Sequence, residues 1–401
     1  MRSPISKQTR DEVIGFYGRE CVVLGGEVEG TLHHLNGDHS KTIFENLIPL
    51  GHTLHSRLRR PTKRQATGSL NQTDTSLDPQ RLRERAIELY RHGETARAFG
   101  CARLAYAMRR YYRQRDIQDE LESLVDALYY LRRCLILHPA LGYRALRHLL
   151  DSEILPAISK HPVLSSKTVL LMVEEMAAWL NEFGASESAL PIFRVVDELT
   201  QKFGVSKLGA ALRSGLLRQK SFGLIHSGQR EVEIERVLAN AFESDDSNQN
   251  KIGIVNARMA LLLRQGQGMQ ALAVIEPTVA EVERLLAARV LPAKQLKPER
   301  INCRYENYLA LLATRLLARV HAQESLTPVK LQSLLEHHKE SEIGLGAKAR
   351  FVWTPQIKQA VKKMRTSSPD FIRFVQEHTA PPLSKAMANR CLMVVKQILA
   401  I

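Results

Sequence analysis

The sequence predicts two structural regimes: a small α+β segment at the N-terminus and then a large all-α body. Three observations carry this. Residues 1–57 mix short β-type runs, such as Cys21-Val22-Val23-Leu24, with turn signals at Gly25-Gly26 and Asn36-Gly37. Residues 58–78 begin basic and turn polar, with too little apolar content to pack, and read as a linker. From residue 79 to 401 apolar residues recur at helical spacing with few breaks.

Within the first regime, "VVLGGEVEG" has glycines but no helix pattern after them, so it reads as a hairpin and not a phosphate loop. "GTLHHLNG" is a short extended segment closed by an Asn-Gly turn. Asn46-Leu47-Ile48-Pro49-Leu50 reads as a second strand, and "GHTLHSRLRR" as a helix starting near Gly51. The order is therefore strand, strand, helix.

The second regime opens on a sharp start signal. Asp78 is placed to cap a helix whose first residue is Pro79, and Leu82, Ala86, Leu89 and Tyr90 follow at one-face spacing. Further on, Gly93, Gly184 and Gly266 each end one apolar-periodic segment. Five residues after each comes an alanine, Ala98, Ala189 or Ala271, inside the next segment. A helix, a tight turn and a second helix with a small contact residue fits all three. These segments resemble the tetratricopeptide (TPR) helical hairpins, with irregular spacing between matches. The resemblance implies an α-solenoid over 79–401 whose stacked faces bind a protein partner or trigger.

Composition narrows the function classes. Hydrophobic residues make up 44% of the 401, enough for a packed core. No apolar run approaches the ~20 residues of a membrane span, and the N-terminus has no apolar leader, so a cytoplasmic chain with no membrane partner is expected. The five cysteines are scattered, without a C-x-x-C pair, as in a reduced compartment. Net charge is +15, which points to a polyanionic partner. Residues 1–75 hold ten basic and eight acidic side chains, so +13 of that charge lies beyond them. In "MRRYYRQR", residues 108–115, packed tyrosines with a solvated arginine face are expected.

Histidines are gathered where the two regimes approach each other. Of 14 in the chain, His33, His34, His39, His52 and His55 fall within residues 30–55. On a strand, His33 and His34 point to opposite faces. His52 and His55, three apart on a helix, share a side. His39 falls in the intervening loop and reads as a bystander.

"TRDEVIGFYGREC", "LHHLNGD", "ENLIPL" and the following His55 together resemble the HNH endonuclease family, a ββα-metal fold. The resemblance implies roles by position. His33 would be the first metal ligand and His55 the second, with His52 an auxiliary ligand or phosphate contact. His34 would be the general base that activates water, and Asn46 would position the loop or the base. The ion would be divalent, Mg²⁺ first, with Mn²⁺, Ni²⁺ or Zn²⁺ also suited to imidazole. Arg57, Arg59, Arg60, Lys63 and Arg64 would hold the substrate backbone independently of sequence. The implied activity is hydrolysis of phosphodiester bonds, in DNA before RNA.

The sequence departs from the family at its brace. Many members hold the fold with a structural zinc on two C-x-x-C pairs. Here Cys21 stands alone, Leu24 occupies its partner's place, and Gly51 and Leu54 occupy the second pair. No structural zinc is expected, and apolar packing must hold the fold. A nuclease joined to a helical-repeat sensor resembles the layout of bacterial anti-phage effectors. The alternative is a non-catalytic helical scaffold whose N-terminal module only binds nucleic acid or protein.

Overall fold

The computed structural model describes residues 4–28, 31–58, 77–91, 94–112, 116–135, 138–160, 164–203, 209–244, 248–287 and 381–399, with positions 311, 314–315, 317–319, 321–322 and 373. The described chain is mostly helical, with one two-stranded sheet. It divides into two compact units: Met1–Glu175 together with Lys396–Ile401, and Met176–Val395.

The first unit opens on α1 (Lys7–Tyr17), whose N-terminal cap is Ser6, its Oγ accepting from the Thr9 amide at 3.1 Å. A tight hairpin over 20–27 follows. Glu20 bridges Glu27, and the Gly25 amide donates to the Cys21 carbonyl. Gly25 and Gly26 both take positive φ, which closes the turn without a Cβ penalty. Strands β1 (Leu32–His34) and β2 (Leu47–Pro49) then pair antiparallel, and α2 (His52–Arg57) starts straight after Gly51. The strand–strand–helix order expected from the sequence is present. Both strands bury every side chain, because apolar residues and the two imidazoles alike face packed surfaces.

Helices α3 (Pro79–Arg91), α4 (Thr95–Ala107), α5 (Ile117–Cys134), α6 (Pro139–His148), α7 (Leu155–Lys160) and the first part of α8 (Ser166–Glu182) complete this unit. The start signal at α3 is realised: Asp78 Oδ1 accepts from the Gln80 amide at 2.9 Å and the Arg81 amide at 3.3 Å. Leu82, Ala86 and Leu89 are buried and Tyr90 is half-buried, the face that the spacing gives.

The N-terminal segment does not stand apart from these helices. Phe16 meets Phe44 at 5.2 Å and Phe99 of α4 at 5.9 Å between ring centres, both edge-on, while Tyr17 stacks on Phe99 at 6.1 Å. Arg144 of α6 donates to Glu45 at 3.1 Å and to Glu12 at 2.9 Å. The hairpin at 20–27 is gripped most closely. Cys101 Sγ donates to the Val22 carbonyl at 3.0 Å, Arg85 Nε donates to the Val23 carbonyl at 3.0 Å, and Arg97 pairs with Glu20 at 3.1 Å.

One glycine makes that grip possible. Gly100 lies inside α4, where glycine costs roughly 1 kcal/mol against alanine. A Cβ there would sit 2.8 Å from Val22 Cγ1 and 3.2 Å from the Tyr17 ring, and Val22 is fully buried. Gly100→Val is therefore expected to destabilise the protein by about 1–3 kcal/mol through overpacking, despite valine's better helix propensity. Chemical or thermal unfolding measures it; unchanged stability would mean that α4 does not bear on the hairpin.

The chain from 108 to 112 departs from the expected solvated arginine face. It forms a π-helical turn, and its arginines enter ion pairs. Arg109 meets Asp119 at 3.1 Å; Arg110 meets Glu120 at 3.1 Å and Glu153 at 3.2 Å, with side chains only 12% and 19% exposed. Tyr106 donates to Glu153 at 2.5 Å in the same network. Burial alone would raise the Glu153 pKa, but bonds from His148 and Tyr106 and the Arg110 charge hold it below the usual carboxylate range. Arg110 is taken up by two buried carboxylates, Glu120 and Glu153, and Arg109 by the exposed Asp119.

The second unit contains α9 (Ser186–Phe203), α10 (Ala210–Ser227), α11 (Glu231–Ser244), α12 (Asn248–Arg264) and α13 (Gly268–Ala287), and a helix at Lys385–Leu399 lies mostly in this unit. Gly184 and Gly266 take positive φ in their turns, as the sequence implies, and Gly228 does the same between α10 and α11. At Gly266 the following amide, Gln267, reaches the Leu262 carbonyl at 2.9 Å, a helix-terminating bond. Gly93 lies outside the described residues. Ala98, Ala189 and Ala271 are fully buried. Leu224, Ile225, Ile234, Val237, Leu238, Ile254 and Leu261 form a shared core for α10, α11 and α12. No described helix is long and apolar enough to cross a membrane.

The α9–α10 contact contains a polar pair, the buried Ser186 Oγ and the half-buried His226 Nδ1 at 2.9 Å. Burial first, and then the Arg264 charge, lower the His226 pKa from 6.5 to about 4. A depressed histidine contributes stability that is complete above pH 6.5 and lost as pH falls towards 4, because the unfolded chain takes the proton first. Up to about 3 kcal/mol is expected to disappear over that window. Urea unfolding at stepped pH reads it, and His226→Asn should flatten the loss; an equal loss in the variant would assign the acid sensitivity to other groups.

Candidate functional site

The site is assembled where β1, β2 and α2 meet. Leu32 pairs with Pro49, His33 with Ile48, and His34 with Leu47. Strand alternation sends the two adjacent imidazoles to different neighbours. The His33 ring meets the His55 ring of α2 at 5.4 Å, edge-on. The His34 ring meets the His39 ring of the intervening loop at 4.6 Å, also edge-on. Leu54, one residue before His55, is buried, and His55 itself is half-buried.

Both strand histidines are buried, at 5% and 6% exposure. Burial, then the nearby His55, His34 and His39, lower the His33 pKa from 6.5 to about 3, so its imidazole is neutral at physiological pH. Its Nε2 is buried and makes no hydrogen bond among the described residues. A neutral imidazole with an unused nitrogen is a suitable metal donor.

Asn46 closes the 3₁₀ turn Phe44–Asn46 and is itself 5% exposed. Its side-chain oxygen accepts from the Asn36 amide at 3.1 Å, and its side-chain nitrogen donates to the Lys41 carbonyl at 2.9 Å. The Asn46 carbonyl accepts from the Leu35 amide at 2.8 Å. One residue thus pins both ends of the loop between the strands. Inside it, Gly37 takes φ of 66° and its amide reaches the His34 carbonyl at 3.0 Å. Asn36 Oδ1 accepts from the Asp38 amide, and Asp38 Oδ1 accepts from Ser40 at both its amide and its hydroxyl.

The other expected participants fall differently. His52 opens α2 and is exposed. Arg57 ends α2, and only its backbone is described; Arg59, Arg60, Lys63 and Arg64 lie outside the described residues. Among the described residues no group of three or more His, Cys, Asp or Glu side chains is placed to hold an ion together. An ion bound here would take two imidazoles from the chain, His33 and His55. Mg²⁺ commonly retains several waters and binds through few protein groups plus substrate phosphates.

The brace positions are also brought together. Cys21 is buried, and a Cβ on Gly51 would lie 3.8 Å from its Sγ. Leu54 is buried, whereas Leu24 is 60% exposed. Cys21 therefore packs beside Gly51, while Leu24 lies at the surface.

The sequence reading missed His39, taken as a bystander and found against His34. The Asn-Gly-Asp turn chemistry was a usable signal for the loop's path, but nothing in the spacing says which ring the loop delivers. Compared with models of known protein families, with curated proteins and with solved structures, the chain matches none.

Proposed function

We propose that residues 4–58 form an HNH-type site that hydrolyses phosphodiester bonds in nucleic acid, DNA foremost, with a divalent ion. The observation that supports this best is the division of labour between adjacent histidines. His33 is paired with His55 across the strand–helix junction, while His34 is turned into the loop that Asn46 pins.

In this reading His33 and His55 hold the ion, which supplies a Lewis acid against phosphate charge. His34 takes the proton from the attacking water, a task suited to an imidazole near neutral pH. Asn46 fixes the loop that lies over His34. The basic stretch from Arg57 to Arg64 holds the substrate backbone, and the net +13 beyond residue 75 favours retention of a polyanion. The helices of the second unit would act as a TPR-like surface for a protein partner or trigger, with helical hairpins turning at Gly228 and Gly266.

The test is a plasmid assay on the full chain with Mg²⁺, Mn²⁺ or Ni²⁺, beside His34→Ala. Metal-dependent nicking in the wild type and none in the variant is expected. Equal nicking in both would remove His34 from the chemistry. Nucleic-acid binding without cleavage under any metal would favour the non-catalytic scaffold.

A further inference from the structure

We infer that His39 is a positioning residue for His34, setting the angle of its ring in the proposed hydrolytic site; the inference rests on the nuclease reading above. The His39 ring stands edge-on to the His34 ring, with centres 4.6 Å apart and planes at 61°. A buried strand residue has its first side-chain torsion fixed by packing, which leaves rotation about the second as its main freedom. A ring laid edge-on at this distance restricts that rotation. The direction of the proton-accepting nitrogen depends on it, and small misplacements of a catalytic group are costly.

The loop is built to hold His39 there. The turn at Gly37 folds the chain back to the His34 carbonyl, so the loop cannot drift from the strand end. Asp38 fastens Ser40 on the far side of His39, and Asn46 holds Asn36 and Lys41 on either flank. His39 is therefore enclosed within five residues that are each tied to the loop or the strand. Asn46, which touches neither ring in any of these bonds, acts on His34 through His39. The His39 imidazole is itself half-buried, so its ring is confined on the His34 side.

The experiment compares wild type, His39→Ala, His39→Phe and His39→Asn as full chains. Steady-state nicking with saturating metal is expected to show kcat about tenfold lower in His39→Ala and His39→Asn, with KM for plasmid unchanged. His39→Phe, which keeps a ring on the contact, should recover most of that loss. A second readout needs no metal and no substrate: NMR of ¹⁵N-labelled imidazoles, where the His34 ring signals should move in His39→Ala and stay close to wild type in His39→Phe. An unchanged kcat in His39→Ala overturns the inference. A KM effect alone would make His39 a substrate contact, and a phenylalanine variant as slow as alanine would make its nitrogens the working part; either outcome overturns ring positioning. If wild type cleaves nothing, the nuclease reading falls on that result, while unmoved His34 signals in His39→Ala would sink the ring contact separately.

Discussion

Replacing His34 with alanine is expected to lower metal-dependent cleavage by about 10²–10⁴-fold, the usual worth of a positioned general base. The loss should appear in kcat with little change in substrate affinity, because a proton acceptor acts in the transition state and not in binding. His33→Ala offers the contrast. Its partner is the His55 ring at 5.4 Å, so its removal should raise the metal concentration needed for half-maximal rate. A metal titration of both variants separates the roles. If His34→Ala shifted the metal requirement and left the saturated rate intact, the assignment of base and ligand would be reversed. Both rings are buried, so circular dichroism of each variant is read beside its kinetics to separate lost chemistry from lost packing.

Arg132→Met should cost the first unit about 3–5 kcal/mol. Arg132 of α5 meets Glu175 of α8 through two parallel bonds, Nε to Oε1 at 2.8 Å and Nη2 to Oε2 at 3.2 Å. The two side chains are 4% and 7% exposed. Two charges withdrawn from water are tolerable only together, and the bidentate geometry with the Tyr129 ring 5.6 Å from the guanidinium provides that. Removing the cation leaves a carboxylate only 7% exposed and stripped of its bidentate partner. The double variant Arg132→Met/Glu175→Leu should regain most of the loss, because apolar pairs of similar volume often match a buried ion pair. Urea denaturation of the three variants closes the cycle. A double variant as unstable as the single one would show that the pair contributes by shape and not by charge.

Much of the candidate site was legible because its logic is local. Adjacent histidines on a strand must diverge, an Asn-Gly step must turn, and residues three apart on a helix must share a side. Those rules alone order β1, β2 and α2. The apolar spacing of Leu82, Ala86 and Leu89 gives the buried face of α3, and Asp78 gives its first turn. The rest depended on contacts without a local pattern. Val22 and Cys101 are 79 positions apart, and Val23 and Arg85 are 62 apart. No periodicity in either segment announces the other. Arg109 and Arg110 sit beside tyrosines in a pattern that reads as a solvated face, yet carboxylates from α5 and the 149–154 turn claim them. Charge in a sequence has a sign but no address until its partners are placed.

The grip of α3 and α4 on the hairpin at 20–27 has a consequence for modularity. A zinc-braced domain carries its own clasp and can be moved between proteins, because the clasp travels with it. Here the clasp is borrowed: Gly100, Cys101, Arg85 and Arg97 do for the hairpin what four thiolates around an ion do elsewhere. The histidine segment is therefore not a detachable cartridge. Excised at residue 58 it would lose the contacts from Gly100, Cys101, Arg85 and Arg97, and grafted elsewhere it would arrive without them. Under the proposed function, chelators should therefore remove the ion while leaving the fold untouched. Selection on α4 is, in this arrangement, selection on the site.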